Sequence, residues 1–251
     1  MKIYKNILIA FMFAFLISLQ QVSAASKTFI VKKDGKKMNV KSITATKTGI
    51  LTIKAGNTTT KLKPGQYKYA RIPAPKDLLQ AKRSYNSKDY SAAASAFDKT
   101  YIKYKFLGWG TFSLYYEMKS LEKLKRMNDL LQKAKELRYP EDPEEEKFFF
   151  KAKQLEATVL IARKQTKEAA PILKLLAKST DDESAMFANN AKGDILTGEG
   201  NENAALYYYM RNLILFKPCK STTYNRSIDR VVEILKAQND PRADEFAKMK
   251  L

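Results

Sequence analysis

The stretch Ala81–Tyr104, AKRSYNSKDYSAAASAFDKTYIKY, decides how the chain is built. Its polar turn, Ser87-Lys88-Asp89, separates two amphipathic segments. In the second segment Tyr90, Ala93, Phe97, Thr100 with Tyr101, and Tyr104 recur at three- and four-residue steps, so they share one helix face. Ala81 on the first helix and Ala93 on the second are small enough for the two to approach closely, with the Phe97 ring filling the groove between them. The pattern predicts an antiparallel helical hairpin, which specifies an architecture rather than a reaction.

Working outward, the helical period begins at Lys76 and runs to the C-terminus. Leu107-Gly108-Trp109-Gly110 breaks it before a second pair, Thr111–Lys123 and Met127–Arg138. Asp142 is placed as an N-cap with Pro143 at the first helical position, and Glu144–Glu146 then face the positive end of the third pair's first helix. That helix aligns Phe148, Ala152, Leu155, Val159 and Ala162; after a turn at Lys164–Lys167 its partner carries Ala169, Leu173 and Leu176, with Pro171 in its first turn. Thr180-Asp181-Asp182-Glu183 has the form of a capping box opening a fourth pair, which holds Gly193, a Gly198–Asn201 turn, Ala205 and Tyr209 and stops at Pro218. Residues 219–251 read as C-terminal capping helices: Thr222–Ala237, then one from Pro241 capped by Asn239 or Asp240.

With Ala93, Leu130, Ala169 and Ala205 as equivalent points, the spacings are 37, 39 and 36 residues. Residues 76–218 thereby resemble a divergent tetratricopeptide-repeat (TPR) array, whose repeats are about 34 residues long. Ala81, Ala157 and Gly193 match the family's small position on the first helix, and Ala93, Ala169 and Ala205 match the alanine of the second. Phe97, Leu173 and Tyr209 take the next large position, while the second repeat departs at Met118, Leu130 and Ala134. The resemblance implies a superhelical scaffold whose groove binds a protein or peptide. Its groove positions fall on Leu78, Lys82, Tyr85, Tyr115, Lys119, Glu122, Asn190 and Asp194. The competing reading makes Tyr85 and Tyr115 inter-helix packing and the charged residues a solvated face. A clamp for carboxylate-ended peptides is not implied, because the set lacks a consistent Lys/Asn pattern.

Residues 1–24 have the form of a secretory signal peptide: Lys2 and Lys5, an apolar run over Ile7–Leu19, then Val22-Ser23-Ala24. The run of 13 residues falls short of the roughly 20 that a spanning helix needs. Cleavage is expected after Ala24 or Ala25, giving an exported, periplasmic or secreted protein that does not span a membrane. Residues 25–72 read as five short strands, Thr28–Lys32, Met38–Thr46, Ile50–Lys54, Thr58–Lys63 and Tyr67–Ile72, separated by turn residues. The apolar alternation of Met38 and Val40 slips by one before Ile43 and Ala45, the mark of a bulge. Strands this short and bent would close into a small SH3-like or Sm-like barrel. Pro73 and Pro75 then form a short stiff hinge. The expected class is α+β: a mainly all-α helical-hairpin array preceded by a small five-stranded, barrel-like β domain.

Composition narrows the function classes. The chain has 46 Lys+Arg against 26 Asp+Glu, a formal charge of +20. Residues 25–72 carry twelve basic side chains against Asp34 alone. Lys54, Lys61 and Lys63, outward by the strand period, either blunt sheet edges and solubilise the protein or form a polyanion-docking surface. Nucleic acid is disfavoured as the polyanion, because Phe29, Tyr67 and Tyr69 are too few to stack bases. The chain has no histidine and a single cysteine, Cys219, which excludes an intrachain disulfide, Ser–His and Cys–His nucleophiles and His-liganded zinc. No cofactor is expected. Two functions remain in view: a non-enzymatic scaffold or adaptor for a protein or peptide partner, and a module binding an anionic envelope polymer through its basic β domain. An enzyme would have to work with carboxylates, Lys, Tyr or Ser, and the acidic residues gather at helix starts rather than facing each other.

Overall fold

The computed structural model describes residues 28–250; the signal-like segment lies outside them. The N-terminal unit holds six strands, β1 (Phe29–Lys32), β2 (Lys37–Asn39), β3 (Ser42–Ala45), β4 (Leu51–Ala55), β5 (Thr58–Leu62) and β6 (Tyr67–Arg71). They form two antiparallel three-stranded sheets, ordered β2-β1-β6 and β3-β4-β5. The expected second strand is therefore two strands. At the slipped alternation the Val40 N–H bonds to Thr28 and the Lys41 N–H to Lys54, so adjacent residues belong to different sheets. The extra residue lets Met38, Val40, Ile43 and Ala45 all meet one core despite their broken parity.

The sheets do not close into a barrel, which corrects the five-stranded expectation. Their shared core of Ile30, Ile43, Leu51, Ile53, Tyr67 and Ala70 is completed from the helical part, by Tyr104, Phe106, Leu107 and Trp109. The end of the helix Tyr90–Tyr104 and the loop that follows it fill the gap that strand pairing would have sealed.

Ten helices follow among the described residues: α1 (Lys76–Asn86), α2 (Tyr90–Tyr104), α3 (Gly110–Lys123), α4 (Met127–Ala134), α5 (Pro143–Ala162), α6 (Thr166–Leu176), α7 (Asp182–Gly198), α8 (Glu202–Leu215), α9 (Thr222–Ala237) and α10 (Ala243–Ala247). They pack as consecutive pairs, and α3, α5, α7 and α9 also pack successively on one another. Each pair turns in the same way. Lys88, Lys125, Lys164, Gly200 and Asn239 all have positive φ. In each turn that residue's N–H returns to the carbonyl three back, and the next N–H reaches the carbonyl five back. This is the Schellman closure of a helix C-terminus. The five left-handed residues are 37, 39, 36 and 39 positions apart, so the spacing legible in the side chains recurs in the backbone.

The helix starts differ in detail from the sequence reading. Asp181, not Thr180, caps α7, accepting the Ser184 N–H at 3.0 Å. Glu183 instead reaches forward and accepts the Ser221 hydroxyl at 2.6 Å and that of Thr223. Pro171 lies inside α6 rather than in its first turn. The last helix starts at Ala243, after Asp240 has accepted the Arg242 N–H at 2.9 Å.

The close approach anticipated at Gly193 is stringent. A Cβ there would lie 2.5 Å from the ring of fully buried Tyr209. Gly193→Ala is expected to cost about 1–3 kcal/mol of stability through overpacking. The control Gly198→Ala, with nothing near its Cβ, is expected to be neutral or stabilising by up to about 1 kcal/mol. Denaturant unfolding of the two variants measures both.

Candidate functional site

On α1 and α3 the i, i+3, i+4 and i+7 spacing of a helix sets Lys82 above Tyr85, and Phe112 in line with Tyr115, Tyr116 and Lys119. Packing of α1, α3 and α5 brings these together with Phe148. Tyr85 meets Tyr116 edge-on at 5.3 Å, Phe112 lies 4.7 Å from Tyr116 and 4.8 Å from Phe148, and Tyr115 lies 5.0 Å from Tyr116 and 6.0 Å from Phe148. Beneath them fully buried Phe97 stacks on Tyr116 at 5.4 Å. The five rings nearer the surface are half-buried, so each keeps an edge or face in solvent.

Two ammonium groups lie over these rings. Lys82 Nζ is 3.6 Å from the Tyr116 centroid, and Lys119 Nζ is 5.7 Å from that of Tyr85 and 5.8 Å from that of Tyr115. Neither lysine forms an ion pair within 4 Å among the described residues. Burial lowers the pKa of Lys119, but Tyr115, Tyr85 and Glu122 outweigh it and the net shift is upward. Burial raises the Tyr115 phenol. The two lysines sit above a polarisable floor, an arrangement suited to acidic and aromatic side chains.

Lys82, Tyr85, Tyr115, Lys119 and Glu122 thus fall on one face, while three other residues assigned to the groove do not. Leu78 is buried with Ala81, Ala93 and Phe97. Asn190 is buried in a polar network, donating to Thr223 O at 2.9 Å and accepting from Asn212 at 3.1 Å and Ser227 at 2.8 Å. Asp194 accepts the Tyr209 hydroxyl at 2.9 Å and pairs with Arg226 at 2.5 Å. Sequence reasoning missed Phe112 and Tyr116, whose i, i+4 spacing was visible, and aligned Phe148 with Ala152, Leu155, Val159 and Ala162 along one face of α5. The core side of α5 instead holds Phe149, Phe150, Ala152, Ala157, Val159 and Leu160, and Ala162 is exposed.

In the β unit, Lys54 pairs with Thr59 and Lys61 with Thr52, so both lysines share the outward face of β3-β4-β5. Lys63 follows β5, and all three are exposed.

A cleft of about 490 Å³ lies where β6 meets the helices, with Tyr69, Tyr101, Phe106, Tyr139 and Glu145 in its walls. Glu145 Oε1 accepts the Thr111 and Phe112 N–H groups at 2.8 and 3.2 Å, capping α3 from outside its own chain segment. Burial pushes its carboxyl up to about 7, against the lowering effect of those N–H groups and Arg71. The Glu144–Glu146 run, expected to serve only the start of α5, has three separate partners. Glu144 pairs with Arg71 at 2.8 Å, Glu145 caps α3, and Glu146 accepts the Tyr139 hydroxyl. Among the described residues no cluster of His, Cys, Asp or Glu is placed to hold a metal, and no helix is long and apolar enough to cross a membrane.

No protein-family model matches the chain, and no curated protein matches it.

Because the folded protein holds the Glu145 proton until about pH 7 while the unfolded chain releases it near its ordinary value, stability falls as pH rises between the two. Glu117, also raised to about 7 by burial, contributes with the same sign. Glu145→Gln keeps an acceptor for α3 and removes one of the two. The variant is expected to match the parent near pH 5 and exceed it by about 2–3 kcal/mol near pH 8, measured by urea unfolding at both pH values.

Proposed function

We propose that the protein is an exported, non-enzymatic scaffold or adaptor whose helices form a TPR-like array and hold an extended acidic segment of a protein partner. The observation that carries the reading is the Lys82–Tyr85–Tyr115–Tyr116–Lys119 face, with half-buried rings and two ammonium groups that form no ion pair within 4 Å among the described residues. The repeated turn, at spacings close to the family's, supports the array; the signal-like segment at residues 1–24 supports export. Aromatic faces bind apolar and proline side chains while the ammonium groups select Asp and Glu. Selection from a random displayed-peptide library is expected to enrich acidic segments containing aromatic residues or proline. Lys82→Glu with Lys119→Glu should weaken the enriched peptides by about tenfold or more without changing the far-ultraviolet circular dichroism. An absence of enrichment, or undiminished binding by the double variant, would overturn the reading.

A second reading, docking of an anionic envelope polymer, is favoured by the shared outward face of Lys54 and Lys61 with Lys63 beyond it. Lys54→Gln/Lys61→Gln/Lys63→Gln is then expected to lose most heparin retention at moderate salt. Replacing Lys99, Lys135 and Lys178 removes the same charge and should change little. Equal losses would reduce the reading to general basicity.

A further inference from the structure

Helix α8 buries one side and presents an unpartnered apolar ridge on the other. Ala205, Tyr209 and Asn212 face the core and are fully buried. Opposite them Tyr207, Ile214 and Leu215 are 60%, 75% and 59% exposed, with Arg211 among them. Nothing in the packing of α8 requires these apolar side chains, and an exposed apolar patch of this kind marks an interaction surface.

The surrounding charge has one sign. No acidic residue occurs between Glu202 and Asp229, a segment that contains Arg211, Lys217 and Lys220. From the neighbouring helices come Lys192, whose Nζ lies 5.4 Å from the Tyr208 ring, and Lys174. The pKa of Lys192 is lowered by burial and then by Arg211 and Lys174, so the three cations are close enough to repel. None of the three forms an ion pair within 4 Å among the described residues.

These features choose among occupants. A second copy would set like charges against each other. Every residue lining this patch belongs to α8, so an occupant meets a single helix face rather than a groove between elements. A ridge with aliphatic tips, an exposed tyrosine and a cationic border instead matches a lipid headgroup interface. We propose that α8 docks the protein on an anionic phospholipid surface: Tyr207, Ile214 and Leu215 enter the headgroup region, and Lys174, Lys192 and Arg211 pair with lipid phosphates. This surface lies on the second helix of its pair, whereas the aromatic face lies on the first helices α1, α3 and α5, so docking does not depend on the peptide-binding reading.

The test is co-sedimentation of the protein with phosphatidylcholine vesicles containing about 30 mol% phosphatidylglycerol, and with phosphatidylcholine alone. Binding is expected to the anionic vesicles and to fall steeply with salt. Ile214→Ser/Leu215→Ser leaves the charge unchanged and is expected to reduce partitioning by about tenfold or more. Lys192→Gln/Arg211→Gln should do the same, while Lys54→Gln/Lys61→Gln, which removes equal charge from the β unit, should have a much smaller effect. Circular dichroism of each variant checks that it is folded. Undiminished binding by the Ile214/Leu215 variant, or equal losses from the two lysine/arginine pairs, would overturn the proposal in favour of nonspecific electrostatic adsorption. Failure of the parent to bind anionic vesicles would also overturn it, and would leave an acidic protein surface as the occupant.

Discussion

The buried guanidinium of Arg71 ties the two halves of the molecule together. It ends β6, pairs with Asp142 and Glu144 at the start of α5, and lies 4.9 Å from the Trp109 ring. Its side chain and that of Asp142 are almost wholly buried, and a charge in such a place persists only if its partner is fixed. Asp142 is fixed because it also caps α5 through the Glu144 N–H at 3.0 Å. Glu145, one residue further, caps α3. A short run of acidic residues thus sets β6, α3 and α5 relative to one another. Around it, Ile72 donates to Leu107 and accepts from Trp109 at 3.0 Å, so the chain flanking Pro73–Pro75 is held from the helical side. A Cβ at Gly108 would lie 2.9 Å from Arg71 Cγ, and the positive φ there also favours glycine.

The N-terminal helices cohere through aromatic rings packed mostly edge-on or tilted, and the C-terminal ones through a buried polar network. Asn212 donates to Met186 O at 3.0 Å, Asn190 at 3.1 Å and Ser227 at 2.9 Å, and accepts from Asn189 at 2.8 Å. Such a network fixes α7, α8 and α9 in one arrangement, because any shift would strand a buried amide. The rings around Tyr116 need less strict geometry and leave their edges at the surface.

Much of the fold was legible because its causes are local. The turn at Ser87–Asp89, the Asp142–Pro143 start, the end of α3 at Lys123 and the limits of α9 all follow from short-range rules of capping and periodicity. The slip between Val40 and Ile43 was visible as well, although its consequence, a strand divided between two sheets, was not. Barrel closure failed as an expectation because Tyr104, Phe106, Leu107 and Trp109 take the place of paired strand edges, and no count of strands reveals that substitution.

The candidate site was only partly legible. The resemblance to a repeat family, and not spacing, assigned Lys82, Tyr85, Tyr115, Lys119 and Glu122 to one groove, since spacing relates only positions on the same helix. The same reasoning could not show that Leu78 packs inward on Phe97, that Asn190 and Asp194 bond across to α8 and α9, or that Phe148 turns toward Tyr115 while Phe149 and Phe150 take the core. Sequence by itself therefore determined the helices, their turns, the repeat spacing and the strongly basic β segment, each set by interactions within a few residues or by simple charge. The tertiary structure decided which side chains remain at the surface, because that depends on helices distant in sequence that compete for the same core.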